Sequence, residues 1–589
     1  MRLLLSFFIG VIGFFYLGEL YKRTFKKPPH PLPGLLLILS GFLVGFWGKG
    51  YFQKPLDIFI ALFLLGAGVG LTAYRLLSSR YIISEKAEKG FIHRHETTLE
   101  RFLEIIPGAL TWIALTSPFW LSFTLPFALA YLLIIADVYW LISSVKTAIL
   151  IYLGYKKLNW AKKQPWLEKL KKDFPNEWKD YYHLLVIPTY KENLKVLAPV
   201  FDAIVNSNYP KDKIFLGLGF EAWDDPQKIK EVKNYLKQVE KKIGGVLTTI
   251  HELQPGEVKG PGSNRNWMIK EALKEFAKRK IEIDKIFVTT MDADFVLHPE
   301  FLGGALHKYL STPEEIRNKR TYTGSFLYYN NYWQAPAPMR MIAVGTAFWQ
   351  LTEMLSSDKY RNFSSFSINL KSLLDIGLWM PDKVNDDSGF YWKAYYHFKG
   401  DYKVIPHFVP LNADTVLDES LFKTVINQYQ QLKRWAYGVE FYPYIVKEYF
   451  RRSDIDFWDK TDKLFFALWG YWKWGTLALF VTFGGILIPI LNPNYKQSVI
   501  AVNLPIISSW ILTAAFLGLS ATIFVHEKTV PPRPKEWGLL KRAWSYLQFL
   551  LVPIIVVTIS SIPPIHAQTS LMFGRYLEFR VTRKARVEE

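Results

Sequence analysis

Long apolar blocks stand at both ends of the sequence with a polar stretch between them, and this segregation limits the fold more than any other feature. Hydrophobic residues make up 50% of the chain and charged residues 21%, so the two kinds are sorted by region rather than mixed. Before position 155 come LLLSFFIGVIGFFYLGEL, LPGLLLILSGFLVGFW and LDIFIALFLLGAGVGLTAY, then a block from Phe102 to Tyr155 that suffices for two more runs. A membrane helix needs about 20 apolar residues, so five spans are expected in residues 1–155. FFALWGYWKWGTLALFVTFGGILIPI and VNLPIISSWILTAAFLGLSATIFV give two further spans inside a second membrane region, 449–573. The last apolar run, Trp544 to Phe573, is interrupted by Pro553, Pro563 and Pro564. It reads as a proline-broken span or a re-entrant hairpin, the hairpin keeping the basic tail 574–589 inside.

The formal charge of +20 follows this pattern. Lys22, Arg23, Lys26 and Lys27 follow the first run; Arg75, Arg80, Lys86, Lys89 and Arg94 follow the third; Lys156 and Lys157 follow the fifth. The alternate loops hold only Lys49 and Lys54, or no charge at all in SPFWLSFTLPF. Cytoplasmic loops are the Lys/Arg-rich ones, so an external N terminus and a cytoplasmic chain from residue 156 are expected. Membrane lipids therefore account for the basic charge, and nucleic acid is not an expected partner. The absence of Cys excludes disulfides, thiolate zinc sites and cysteine nucleophiles.

After a linker or interfacial helix over 156–179, residues 180–448 are polar enough for a soluble domain. HLLVIP, KIFLGLGF, VLTTI and KIFVTT read as strands. Leu194 to Val205, Pro226 to Lys242 and Arg265 to Lys280 read as helices between them. Such alternation implies an α/β domain on a mostly parallel sheet, inserted between two groups of transmembrane helices. Ligands in such sheets bind outside the carboxyl ends of the strands, where six polar motifs fall.

IPTYKEN places Thr189, Tyr190 and Glu192 after the first strand, as a rigid turn facing a base or as an ordinary helix entry. LGFEAWDDP ends the second strand with Glu221, Asp224 and Asp225, either a base or ribose ligand or a solvated helix start. GEVKGPGSNRNW combines glycines, Lys259 and a helix start that Ser263 can cap, a setting suited to a diphosphate. In VTTMDADFVLHPEF, Asp292 and Asp294 close a strand whose period points both acids to one side, a setting for a hard divalent ion. VNDDSGFYW offers Asp386 and Asp387, one of which can take a proton from an attacking hydroxyl, or else a capping loop for a helix from Phe390 to His397. QQLKRWAYG puts Gln431, Arg434 and Trp435 on one helix face, as an amide, a cation and an indole for one ligand, or as an interfacial helix with a snorkelling Arg.

In this order the six motifs resemble the family 2 glycosyltransferases, particularly the membrane-integrated branch that includes cellulose and hyaluronan synthases. The resemblance covers about 270 residues and the flanking membrane pattern. It implies a GT-A fold, a nucleotide-sugar donor (usually a UDP-sugar), and Mg²⁺ or Mn²⁺ at Asp292 and Asp294. It further implies nucleotide contacts at Thr189, Tyr190, Glu192 and Glu221, and Asp387 as base beside Asp386, although Asn-Asp-Asp replaces the family's Thr-Glu-Asp. Gln431, Arg434 and Trp435 match its acceptor and diphosphate motif, and Phe579-Arg580-Val581-Thr582-Arg583-Lys584 is similar to a gating segment of the synthases. The implied activity is inverting transfer to a polysaccharide or lipid-linked acceptor, in one addition or processively with export, at a bacterial plasma membrane during cell-envelope synthesis. A transporter or assembly scaffold with an inactive sugar-nucleotide domain is the competing reading.

Overall fold

The computed structural model describes residues 96–356, 358–516 and 518–578, together with position 67. The first three expected spans, their basic loops and the 579–584 segment lie outside the described residues. Within them, five helical stretches are long and apolar enough to cross a membrane: Thr98–Thr124, Pro126–Lys162, Phe457–Leu491, Val499–Thr529 and Leu539–Met572. The fifth is irregular where its prolines fall. It passes through a 3-10 turn (Gln548–Leu551), a short α segment (Val552–Ile555) and a π segment (Val556–Ser560) before Ile562–Met572. Proline lacks the amide that would close the regular ladder, which accounts for these breaks.

Two compact units divide the chain. The smaller comprises residues 1–106 and 440–469; its described core packs Leu103 with Val446, Tyr449, Phe450 and Phe457. The buried Lys460 ammonium there donates to the carbonyls of Tyr449 and Arg452, 2.9 and 2.8 Å away.

The larger unit contains one eight-stranded sheet in the order β3-β2-β1-β4-β7-β6-β8-β5. Its strands are β1 (Tyr182–Pro188), β2 (Ile214–Glu221), β3 (Gly245–His251), β4 (Ile286–Thr290), β5 (Val296–Leu297), β6 (Arg320–Leu327), β7 (Phe366–Asn369) and β8 (Lys403–Asn412). Strands β1 to β4 pair in parallel, as the alternation of apolar runs and helices implies. The expectation of a mostly parallel sheet fails beyond β4: β7 runs antiparallel to β4 and β6, β5 antiparallel to β8, and only β6 and β8 add a parallel pair. The sheet is mixed. Parallel pairing is enforced only where one helix carries the chain back over the sheet. That regularity ends at β4, which is followed by a turn and the two-residue β5.

The core sits under β1 and β2, whose inner residues are fully buried on both faces. Helices Leu194–Val205, Pro226–Glu240 and Pro261–Lys278 connect β1 to β2, β2 to β3 and β3 to β4 in turn. The third begins one turn before its expected start, with Pro261 at its first position, where a missing amide costs nothing. Ser263 therefore lies inside the helix and donates to the Gly260 carbonyl instead of capping. Gly219 of β2 lies so close to Asn264 of this helix that a Cβ would overlap the Asn264 side chain.

One polar group is enclosed in this core without compensation. His183 of β1 is fully buried, 4.4 Å from the Tyr209 ring, and neither ring nitrogen has a hydrogen-bond partner among the described residues. Burial pushes its pKa down to about 3. The unfolded chain then binds a proton that the folded chain refuses, so this residue subtracts stability as pH falls from about 6.5 toward 3. In thermal unfolding of the detergent-solubilised protein, His183→Phe is expected to match the parent near neutrality and to gain on it steadily with acidification. A pH-independent difference in Tm would contradict this account.

Candidate active site

The polar motifs collect at the carboxyl ends of the central strands in two neighbouring clusters. The first lies beyond β1, β2 and β3. After β1, the Glu192 carboxylate accepts the Tyr190 amide (2.7 Å) and the Thr189 hydroxyl (3.0 Å), closing the turn on itself. Lys191, in the left-handed region at φ 70°, donates its amide to Asp224 (3.2 Å). Burial raises the Glu192 pKa, against the lowering effect of these bonds. The Tyr190 ring meets Trp223 at 6.2 Å, Trp223 meets His251 at 6.0 Å, and His251 meets Trp267 at 5.7 Å. The Lys259 ammonium lies over the Trp223 ring at 5.4 Å. Aromatic faces beside a cation suit a nucleobase and its phosphates.

Glu221 does not project from this cluster. It is buried, with one oxygen 2.7 Å from His251 Nδ1 and the other accepting Asn264 Nδ2 at 2.8 Å. The opposite ring nitrogen, His251 Nε2, is 2.9 Å from Glu257 in the glycine-containing loop. Asp225 is the cap of its helix, accepting the Gln227 amide at 2.9 Å.

The second cluster is built around Arg265, one residue beyond Asn264. Its guanidinium is 1% exposed, forms a close ion pair with Asp386 and reaches Asp292 at 3.4 Å. A Cβ on Gly262 would stand 2.9 Å from the Asp386 Cβ, so glycine there allows the approach. Asp386 and Asp387 begin the helix Asp386–His397, a turn earlier than expected. The Asp387 carboxylate accepts the Ser388 amide at 2.7 Å. Burial first, and the neighbouring Asp386 charge second, push its pKa up to about 7. Burial also raises that of Asp386, opposed by Arg265.

Gln431, Arg434 and Trp435 share the helix Leu421–Ala436 as expected. Gln431 is buried and accepts Gln428 Nε2 at 3.1 Å. Arg434 feels the charges of Asp292, Asp387 and Asp386, while burial lowers its pKa. The same helix is fastened to Ile562–Met572 through His566, whose ring nitrogens face Tyr429 Oη (2.8 Å) and Lys433 Nζ (2.9 Å).

The strand-period expectation for Asp292 and Asp294 is not met. β4 stops at Thr290, and both acids lie in the following turn with different surroundings. The Asp292 side chain is 39% exposed, whereas Asp294 is 3% exposed and accepts the Asp414 amide at 2.9 Å. Among the described residues, no group of three or more His, Asp or Glu forms a closed metal cage. The arrangement fits a hard ion held by one or two carboxylates and completed by substrate phosphates, with Asp292 the open ligand. Arg265, His251, Glu257 and Asn264 escape a reading of the sequence. For Asn264 and Arg265 the one visible signal is a run of polar residues, Ser263 to Asn266, on a helix start that must face the sheet; His251 and Glu257 have none.

Residues 183–352 match the model of a family described as glycosyltransferase like family 2. The chain thus carries a glycosyltransferase domain of family 2 type over these residues. Among solved structures, it is similar to the mannosyltransferase PcManGT from Pyrobaculum calidifontis in complex with GDP-Man and Mn²⁺. That match has a TM-score of 0.36 and 12% identity, covering 75% of this chain and 100% of that one. It is also similar to S. aureus TarS 1-349 in complex with UDP-GlcNAc (TM-score 0.30, 14% identity, 68% of this chain and 94% of that one). No curated protein matches the sequence.

Asp387 titrates above its unfolded value, so its contribution to stability is present at low pH and lost as pH rises through about 7. In metal-free buffer, Asp387→Asn is expected to leave Tm near that of the parent below about pH 4 and to exceed it above pH 7. Equal Tm values for the two proteins at alkaline pH would contradict the raised pKa of Asp387.

Proposed function

We propose that the protein is an inverting, metal-dependent membrane glycosyltransferase that moves a sugar from a nucleotide-sugar donor, a UDP-sugar in the first instance, to a polysaccharide or lipid-linked acceptor. The carrying observation is the juxtaposition of Asp387, its pKa raised to about 7, with Asp292, Arg265 and Arg434 at one end of the sheet. A general base works best with a pKa near the operating pH, which the burial of Asp387 supports. Mixed sheet, aromatic cluster and family match together support a GT-A-type domain.

In this reading Tyr190 and Trp223 stack on the base and Lys259 neutralises phosphate charge. Asp292, assisted by Asp294, would hold Mg²⁺ or Mn²⁺; such an ion supplies charge neutralisation to the donor diphosphate. Asp387 takes the acceptor hydroxyl proton as that oxygen bonds to the anomeric carbon from the face opposite the leaving group. The bond from the anomeric carbon to the diphosphate oxygen breaks, and its electron pair departs with the nucleoside diphosphate, whose charge Arg434 meets. Asp386, held by Arg265, fixes the start of the helix that carries the base.

The five apolar helices support integration in a membrane, with the 180–448 domain on the cytoplasmic side by the charge of the loops. Closeness of the Arg434 helix to Ile562–Met572 supports delivery of product or acceptor at the membrane, and a processive synthase remains within this reading.

The test is release of nucleoside diphosphate by the detergent-solubilised protein across a panel of UDP-sugars with Mg²⁺ or Mn²⁺. Turnover with one sugar is expected, lost on chelation. Asp387→Asn should lower kcat by about 10²-fold or more. Arg434→Lys should also lower kcat, since a single ammonium lacks the planar fork of guanidinium. Turnover of GDP-sugars alone would change the nucleotide; binding of no sugar nucleotide at all would overturn the proposal. Product length separates processive from single addition.

A further inference from the structure

We propose that His251 is a positioning residue, a doubly protonated imidazolium that clamps the loop bearing Lys259 against the ends of β2 and β3. What the loop holds rests on the sugar-nucleotide reading above; the clamp itself rests on geometry.

β3 ends at His251, whose side chain is wholly buried. Nδ1 is 2.7 Å from a Glu221 oxygen on β2, and Nε2 is 2.9 Å from a Glu257 oxygen in the loop. Carboxylates only accept hydrogen bonds, and a neutral imidazole has one N–H to give. Both contacts hold together only when a second proton is present on this trio. Without it, a ring lone pair faces a carboxylate oxygen inside the protein, and the loop contact turns repulsive.

The other bonds to these acids are all donated to them. Gln254 N reaches Glu257 at 3.0 Å, and Asn264 Nδ2 reaches Glu221 at 2.8 Å. Glu221 and Glu257 are the charged groups that face the ring. Trp223 and Trp267 contribute rings, Asn264 an amide on the far side of Glu221, and Lys259 an ammonium beyond Trp223. Burial opposes a charged ring, but the bonds and charges of Glu221 and Glu257 outweigh it and raise the pKa of His251. The loop is shaped to deliver its acid: Gly256, at φ +86°, turns the chain back immediately before Glu257. Val258 adds further ties: its amide donates to the Pro381 carbonyl at 2.9 Å, and its carbonyl accepts the Ser263 hydroxyl at 3.3 Å. Lys259 follows, exposed, and then the helix Pro261–Lys278 that carries Asn264 and Arg265.

Glu257→Gln separates the clamp from general effects of pH, because its amide donates to a neutral ring and needs no second proton. Trypsin cleavage after Lys259 reads loop opening without any donor, and the ratio of parent to Glu257→Gln rates cancels the protease's own pH dependence. This ratio is expected near one at about pH 6 and several-fold higher at about pH 9. His251→Ala should be cut rapidly throughout, provided its Tm shows it folded. With the reactive donor, the parent's KM should rise over the same range while that of Glu257→Gln stays level, and the two kcat values should change together, since titration of Asp387 acts on both proteins alike.

A ratio independent of pH overturns the clamp, using a variant that keeps His251 in place. A folded His251→Ala that resists trypsin as the parent does would overturn it too. A pH-dependent ratio with an unmoved donor KM overturns the positioning role. Normal clamp behaviour in a protein that binds no sugar nucleotide would instead sink the glycosyltransferase reading and leave the clamp intact.

Discussion

A buried guanidinium must be neutralised, and the placement of Arg265 organises the rest of the site. Arginine keeps its proton at any relevant pH, so a side chain this enclosed obliges carboxylates to come to it. Asp386 and Asp292 do so from the start of one helix and from the turn after β4. Three elements far apart in sequence are thereby fixed on one point, with Gly262 giving the room. Asp387 pays the electrostatic consequence. Its neighbour has taken the nearest cation, and burial plus the Asp386 charge leave it half-protonated near neutrality. The ion pair made by its neighbour thus leaves Asp387 with a raised pKa one residue away.

The Asp-x-Asp pair divides its labour in a comparable way. Asp294 is turned inward, where its carboxylate takes the Asp414 amide while Asn330 bridges the Asp294 and Asn412 carbonyls and the Asp414 carboxylate. It fastens the chain leaving β8 to the turn leaving β4. Asp292 keeps its face toward solvent and Arg265. An ion arriving there would therefore meet one open carboxylate in a rigid frame, and the missing ligands are those that a diphosphate brings.

Much of the first half of the domain is legible in the sequence because β1, β2 and β4 are buried on both faces and read as near-continuous apolar runs. Helix Leu194–Val205 is read to the residue, since Asn193 caps it and accepts the Val196 amide. The second half is opaque for the opposite reason. β5 has two residues and β7 four, and their partners lie 40 to more than 100 positions away, so no local period marks them. The same limit applies to the site. Motifs locate Asp292, Asp387 and Arg434, but the role of Glu221 depends on a histidine and an asparagine 30 and 43 positions further on. In isolation Glu221 looks like a ligand for a base; in the fold both its oxygens are already taken.

Asn264 and Arg265 show why the two clusters cannot be treated as independent. Successive residues on a helix point about 100° apart, so these two face different neighbours from one rigid element. Asn264 holds Glu221, and through it the His251 ring; Arg265 holds Asp386 and Asp292. The helix begins at Pro261, directly after the loop that Glu257 anchors. Any shift of that loop which disturbs the first turn must act on both side chains together. The two clusters of polar side chains are therefore joined through adjacent positions of one helix.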